Sequence, residues 1–505
     1  MATDHPEIDA GEVAHRARRG ISWNVVGAVL TNAIRLVTVM VLGRALSPGD
    51  FGVVASALTV TLVLHHMRDV GIGAALIQRE NIDREHVATA LAFSIYLGVA
   101  LGAVLVLSAP WIAAWYDLPN HLDLIRALGI LFVLRGFSTV PVMLCRRAMR
   151  FRAIAIVDVI TYGAGAIVAM TLAILDFGPW SLVSGYLVED ALAAVIYFAL
   201  QRPPIAFRID GHRLRELLGF GVGHTILQVA NILAIQGDNF IVGGTLGPRE
   251  LGFYSRAYEL IKLPAAVFTN VVGNVLFPAF SRLQRDRERL AAGFRRATLV
   301  NGLVLFPASA MLIVVAPEAI WVVMGDQWDT AVLPFQILAL TMMMRTSYKV
   351  GATIASASGR VYALATANII YMVCVIAGAA LTIRWGIVGV ATSTAFSIMV
   401  IYLLCCALAM RVAAIAPGAV IAAHAPGLAI AVVVGGASWG IATAMRSLDA
   451  APSVVLAFTA VAGGLLHLAA FVVWTKSMNP DADWIRAEVV RTIRKFRKAP
   501  EKRPA

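Results

Sequence analysis

The chain has 505 residues, 59% of them hydrophobic and 14% charged. Soluble globular proteins carry about 25% charged and about 45–50% apolar residues, so this balance excludes a soluble globular enzyme and indicates a chain embedded in a membrane. The formal net charge of +12 would suit nucleic acid, but the basic residues sit in short clusters between long apolar runs, the pattern of cytoplasmic loops.

In chain order, residues 1–19 are polar, mixed in charge and expected to form a cytoplasmic segment. No small-residue cleavage site follows an early apolar core, so the first apolar helix is expected to stay as an anchor rather than leave as a signal peptide. A spanning helix needs about 20 mostly apolar residues. Runs near 20–42, 51–69, 87–112, 124–145, 153–175 and 180–201 make an N-terminal six-helix bundle over 20–201. Residues 202–216 read as a cytoplasmic linker. Runs near 217–242, 251–280, 298–324, 331–357, 361–383 and 386–410 make a second bundle over 217–410. Two more, near 419–445 and 452–475, form a C-terminal pair within 419–475. In the tail, 480–505, Ile485, Val489, Ile493 and Phe496 share one helical face among Arg and Lys residues. This suits a basic amphipathic helix on the anionic inner leaflet, with docking on a cytoplasmic partner as the rival reading. The expected class is an all-α integral membrane protein of about 14 transmembrane helices.

Loop charge sets the expected orientation. The loop after span two holds Arg79 and Arg84, and the loop after span four holds Arg146, Arg147, Arg150 and Arg152. The loop after span six holds Arg202, Arg208, Arg213 and Arg215, and that after span eight is also arginine-rich. Loops after odd-numbered spans hold one Lys or Arg at most. Positive charge marks the cytoplasmic side, so both termini are expected there. Cys145, Cys374, Cys405 and Cys406 fall in or beside apolar runs and show no extracellular disulfide framework.

One turn occurs twice. "LGRALSPGDFG" (Leu42–Gly52) matches "VGGTLGPRELG" (Val242–Gly252), with Gly43, Leu46, Pro48 and Gly52 answering Gly243, Leu246, Pro248 and Gly252. Each copy joins the first and second spans of a six-helix bundle. An even number of spans per repeat gives two parallel copies about an axis along the membrane normal, with the substrate site between them.

Three segments, "GRALSPGDFGVVASALTV" near Gly43, "DVGIGAALIQRE" near Asp69 and "DNFIVGGTLGPRELGFYSRAYELIKLP" near Asp238, carry a resemblance. The chain resembles the polysaccharide-exporter branch of the superfamily that includes multidrug and toxin extrusion transporters, O-antigen flippases and the lipid II flippase. The resemblance implies a flippase that moves a polyprenyl-diphosphate-linked oligosaccharide from the inner to the outer leaflet of a bacterial inner membrane. It implies alternating access through a V-shaped cavity, no cofactor, and polysaccharide assembly proteins as partners. A drug or organic-ion antiporter of the same superfamily is the first alternative, and a membrane polysaccharide polymerase the second.

A diphosphate entering a membrane needs paired cations, because an uncompensated buried charge costs several kcal/mol or more. Arginine suits phosphate through its fork of donors. By depth in the spans, the substrate-binding candidates are Arg35, Arg345 and Lys349, then Lys262, Arg135 and Arg256. Arg345 and Lys349 are one helical turn apart. Structural pairing with a nearby acid is the competing reading for each, and Lys262 has Glu259 three residues earlier. Asp238, Glu259 and Asp190 are the candidates for a proton or sodium coupling site. Tyr254, Tyr258, Trp111, Trp115, Trp180, Trp321 and Trp328 fall near outer span ends, where aromatic belts lie. His65, His66, His424 and His467 suggest no metal site.

Absences bear on the enzyme classes. No Lys follows a Gly and no Glu follows a His, so the Walker A loop and the HExxH zinc site are missing. No expected outer loop exceeds roughly a dozen residues, which leaves no room for the catalytic loop of a polymerase. An organic-cation antiporter would need acids at mid-depth, whereas the deep charges here are mostly basic. A non-enzymatic transporter of an anionic load, with no nucleic-acid partner, is the expectation.

Overall fold

A backbone in lipid finds no water, so its polar groups must be satisfied within helices. All regular structure among the described residues is helical. The computed structural model describes residues 10–68, 72–79, 82–205, 209–218, 222–271, 277–283, 286–476, 482–484 and 486–487. The first helices are α1 (Ala10–Ala45), α2 (Pro48–Arg68), α3 (Ile72–Gln78), α4 (Arg84–Trp115) and α5 (Leu122–Arg147). Then come α6 (Phe151–Ile174), α7 (Pro179–Gln201), α8 (Gly211–Leu218), α9 (Val222–Leu246) and α10 (Pro248–Val271). After α11 (Phe277–Leu283) and α12 (Arg287–Val314) come α13 (Ala316–Met324), α14 (Val332–Leu340) and α15 (Met342–Ala357). The last are α16 (Val361–Thr382), α17 (Gly386–Ala413), α18 (Pro417–Ser447) and α19 (Pro452–Thr475).

Among the described residues, 10 segments are long and apolar enough to cross a membrane, and one of them, Val361–Ala413, contains both α16 and α17. Two expected spans are broken helices. The run at 298–324 breaks between α12 and α13, where Pro317 follows the last turn of α12. Proline lacks a donor and disfavours helix in the residue before it. The run at 331–357 breaks at Thr341, whose Oγ1 donates to the Leu338 carbonyl at 2.7 Å and so competes with the helical ladder. The amphipathic-tail expectation falls almost wholly outside the described residues. Of its start, Trp484 is described, with the Arg296 guanidinium 4.6 Å from its ring centroid.

The chain divides into two compact units. The first comprises Met1–Arg256, Val323–Trp328 and Met372–Val390; the second comprises Ala257–Val322, Asp329–Tyr371 and Ala391–Ala505.

In the first unit the two copies of the repeated turn meet. Ser47 caps α2: its N–H donates to Asp50 Oδ2 at 2.9 Å, and its Oγ accepts from the Asp50 N–H at 3.2 Å. With Pro48 at the first helical position, this is a capping box. α10 starts the same way, except that Gly247 replaces Ser47 and takes a φ of 85°, which glycine adopts freely. A Cβ on Gly52 would lie 1.6 Å from the Pro248 oxygen, and one on Gly252 would lie 1.8 Å from the Pro48 oxygen. The contact is reciprocal, as a symmetric pair requires.

Trp328 is fully buried beside this contact. Its Nε1 donates to the Gly43 carbonyl at 2.8 Å, and Phe51 and Phe253 pack edge-on at 5.3 and 5.8 Å. Tyr254 and Tyr258 are buried as well, so these three aromatics are core residues and not belt residues. Trp111, at 74% exposed, and Trp180 and Trp321 do face outward, as a belt requires.

In the second unit α18 packs along α12, and α15 shares a core with α12 and α17 that includes Phe294, Val350, Ile354 and Tyr402. Arg446, in the last turn of α18, grips Glu318 of α13 with two parallel bonds of 2.7 and 2.8 Å. The two histidines of the C-terminal pair are structural. His424 Nε2 lies 2.5 Å from Tyr402 Oη, and His467 Nε2 lies 2.9 Å from the Leu303 carbonyl.

Candidate functional site

The second unit gathers three of the expected cations around one ring. Tyr258, on α10, is 4% exposed. Lys262, one turn further along α10, places Nζ 4.4 Å from the ring centroid. Arg345, in the first turn of α15, places Cζ 4.4 Å from the same centroid. Lys349 follows Arg345 by one turn and lies within its electrostatic reach. Tyr348 and Tyr371 complete the surroundings of Arg345.

Two Arg345 donors, Nε and Nη2, are buried and have no hydrogen-bond partner among the described residues. They form one edge of the guanidinium, the edge that grips two oxygens of a carboxylate or phosphate side by side. Leaving a buried donor unpaired costs about 1–3 kcal/mol, so an oxyanion that meets both would recover that cost. Tyrosines supply the remaining contacts without neutralising the charge.

The other candidates lie in the first unit and have different surroundings. Arg135 Nε donates to Asp190 Oδ2 at 2.6 Å, and Arg135 Nη1 lies 3.4 Å from His65 Nδ1. Both Arg135 and Asp190 are therefore engaged with each other, as the competing structural reading anticipates. Arg35 lies 5.6 Å from the ring centroid of Tyr162. Arg256 lies over the ring of Phe51 at 4.8 Å. Asp238 is buried at 1% exposure, accepts from Tyr254 Oη at 2.7 Å and from the Asn239 N–H at 2.8 Å. A cavity of about 260 Å³ opens beside the Arg135 pair, lined by His65, Arg68, Ser94, Ser138 and Thr139 among others.

At the end of the first unit that carries the arginine loops, α8 is clasped to the start of α4. Arg79 Nη1 donates to Glu216 Oε2 at 2.5 Å, and Arg213 reaches Asp83 and Glu85. The Arg79 bond holds the Glu216 carboxyl below the ordinary carboxylate range. Arg147 donates to the Leu76 carbonyl at 2.9 Å, so the loops after α2, α5 and α7 share this end.

Sequence reasoning missed the tyrosines. The signal was present as spacing, with Tyr258 four residues before Lys262 and Tyr348 three after Arg345.

Fold and site together define a multi-pass helical membrane protein with a cluster of cations around Tyr258. Its fold is that of the lipid II flippase MurJ in an inward closed conformation, at a TM-score of 0.74 and 11% identity over 90% of this chain and 98% of that one. An inward-facing multidrug resistance MATE family transporter superposes at a TM-score of 0.62 and 16% identity, over 76% of this chain and 95% of that one. Residues 41–333 match the polysaccharide biosynthesis protein family, and the chain belongs to it. The succinoglycan biosynthesis transport protein ExoT of Rhizobium meliloti is 31% identical over 66% of this chain and 67% of its own length. The lipopolysaccharide biosynthesis protein WzxC of Escherichia coli is 26% identical over 65% of this chain and 67% of its own.

Proposed function

We propose that this protein flips a polyprenyl-diphosphate-linked oligosaccharide from the inner to the outer leaflet of a bacterial inner membrane, for assembly of a surface polysaccharide. Transport proceeds by alternating access, changes no covalent bond and uses no cofactor. Both termini lie in the cytoplasm. The family and the named roles of its relatives support the substrate class. The observation that carries the reading is the Arg345 fork, whose Nε and Nη2 are buried with no hydrogen-bond partner among the described residues, on the same helix as Lys349 and over the same ring as Lys262. A site for organic cations would present acids instead. Arg35, Arg256 and Arg135, on the first unit, are further candidates for substrate contact. If transport is coupled to a proton or sodium ion, the acids to carry it are Asp190, Asp238 and Glu259.

Losing one partner of a buried charged contact costs about 2–5 kcal/mol, roughly thirtyfold or more in binding. Arg345→Ala, Lys349→Ala and Arg35→Ala are each expected to reduce glycan export at normal protein level. Arg345→Lys should rescue only in part, since lysine lacks the planar fork. Arg146→Ala, exposed in the last turn of α5, should export normally. Lipid-linked glycan accumulating inside the cell is the measurement. Normal export by all three cavity variants, with no accumulation, would overturn the reading.

A further inference from the structure

α12 and α19 are both long and apolar enough to cross a membrane. His467 Nε2 of α19 donates to the Leu303 carbonyl of α12 at 2.9 Å, so the start of α12 runs beside the end of α19. Leu299 and Leu303 are buried there, and Phe471, Trp474 and Trp484 pack against their cluster. Beyond α19 the chain is therefore held against α12, with Ala482 fully buried and Trp484 half-buried. All these residues lie in the second unit.

The Arg296 guanidinium lies 4.6 Å from the Trp484 ring centroid. Its Nε is buried with no hydrogen-bond partner, and Arg296 forms no ion pair among the described residues. Asp483, next to Trp484, is taken up by Arg486. A ring face attracts a guanidinium through its quadrupole but offers no oxygen to its N–H groups. The protein thus sets the position of this cation without answering its donors. Nε is sealed, which leaves the two Nη groups of the half-buried side chain as the donors a ligand can reach. Arg296 is about 14 Å along α12 from the exposed Arg287. With Trp474 and Trp484 against the same cluster, this is the depth at which aromatic side chains meet lipid head groups. A cation at that depth needs a counter-charge. A lipid phosphate supplies one, and its oxygens suit the planar guanidinium. A zwitterionic lipid would bring an ammonium group as well, towards Arg287 and Lys476, which are exposed at this end. An anionic lipid brings no such repulsion.

We propose that Arg296 and Trp484 form a head-group site for an anionic phospholipid. The phosphate accepts from the Nη groups of Arg296, and the Trp484 ring holds the guanidinium in place for it. The occupant is a resident lipid and not the transported load, so the inference goes beyond the flippase reading. The orientation proposed above is needed only to name the leaflet as the inner one.

The test places the full chain in nanodiscs of mixed phosphatidylcholine and phosphatidylglycerol. Native mass spectrometry reads which lipid stays bound. The wild type is expected to retain phosphatidylglycerol in preference. Arg296→Gln should lower that preference about fivefold or more, the loss of one basic side chain's attraction to an anionic lipid. Trp484→Leu should lower it to a similar degree, and Trp484→Phe, which keeps a ring, should stay within about twofold of the wild type. Arg289→Gln, at an exposed residue paired with Asp286, should leave the preference unchanged. Equal losses from Arg289→Gln and Arg296→Gln would mean a diffuse basic surface and overturn the site, as would a wild-type preference in Arg296→Gln. Displacement of phosphatidylglycerol by farnesyl diphosphate in the wild type but not in Arg296→Gln would assign Arg296 to the transported lipid and overturn the resident one. If Trp484→Leu does not fold, Trp484→Phe decides the part of the ring, and a fivefold loss there refutes it. Glycan export is not the readout, so failure of the flippase reading leaves this result standing. A reporter after Arg289 that is active on the outer side would change the leaflet and not the lipid.

Discussion

Arg135 and Asp190 pose the question that every intramembrane charge poses, whether it serves a path or a partner. Their 2.6 Å bond answers in favour of a partner. Side-chain exposures of 28% and 15% mean that water screens the pair in part. Removing one member of a fully buried pair costs about 3–5 kcal/mol, so partial screening puts this one near 1–3 kcal/mol. Asp190→Asn should therefore lower the thermal midpoint of the purified protein, because it leaves Arg135 charged and unmatched. The double variant Arg135→Met with Asp190→Leu should recover much of the loss, since it removes both charges together. A single variant that melts with the wild type would mean that the pair adds nothing to stability. Arg345 is the opposite case, with two buried donors that have no hydrogen-bond partner among the described residues. Depth in the sequence made candidates of both arginines and ranked Arg345 first. What separates them is the neighbour across the helix interface, which one-dimensional spacing does not encode.

Helix starts follow local capping chemistry that the apolar runs, placed near 51 and 298, do not register. Ser47, Pro48 and Asp50 write the first turn of α2 in four residues, and Asp286 writes that of α12 by accepting from the Arg289 N–H. The break between α12 and α13 also had a local mark in Pro317. The break at Thr341 did not, because a threonine side chain bonds its own backbone in many unbroken helices. The repeated turn was legible as a repeat, but its packing was not. Glycine at Gly52 and Gly252 reads as turn punctuation, whereas the structure uses both for close approach of α2 and α10. Gly52→Ala and Gly252→Ala should each force the two helices apart, as a Cβ at 1.6 or 1.8 Å from a carbonyl oxygen cannot be accommodated. Both variants should give less folded protein after detergent extraction, measured by gel-filtration yield. Gly440→Ala, where an added Cβ meets nothing within 4 Å, should extract normally. Wild-type yield from either turn variant would show that the helices can separate without cost.

Across the whole molecule, alternating charge between loops is the most global feature the sequence carries, and it ties fold to direction of transport. The arginine loops after α2, α5 and α7 are joined by Arg147 on the Leu76 carbonyl and by the Arg79 bond to Glu216, so they share one end of the first unit. The repeated turns, Trp328 and the end of α4 gather elsewhere in that unit, around Gly43 and Gly243. Basic residues stay on the cytoplasmic side during insertion, so the arginine end is expected to face the cytoplasm. On the proposed function the direction of flipping depends on that assignment, because a lipid-linked glycan built inside would have to enter from the inner leaflet. A reporter fused after Arg289 should therefore be active only in the cytoplasm, and one fused at Gly247 only on the outer side. Between those two points the chain runs through α10, so one crossing is required. Reporters that agree in compartment would remove that crossing, and with it the pairing of α2 and α10 as equivalent helices of two parallel repeats.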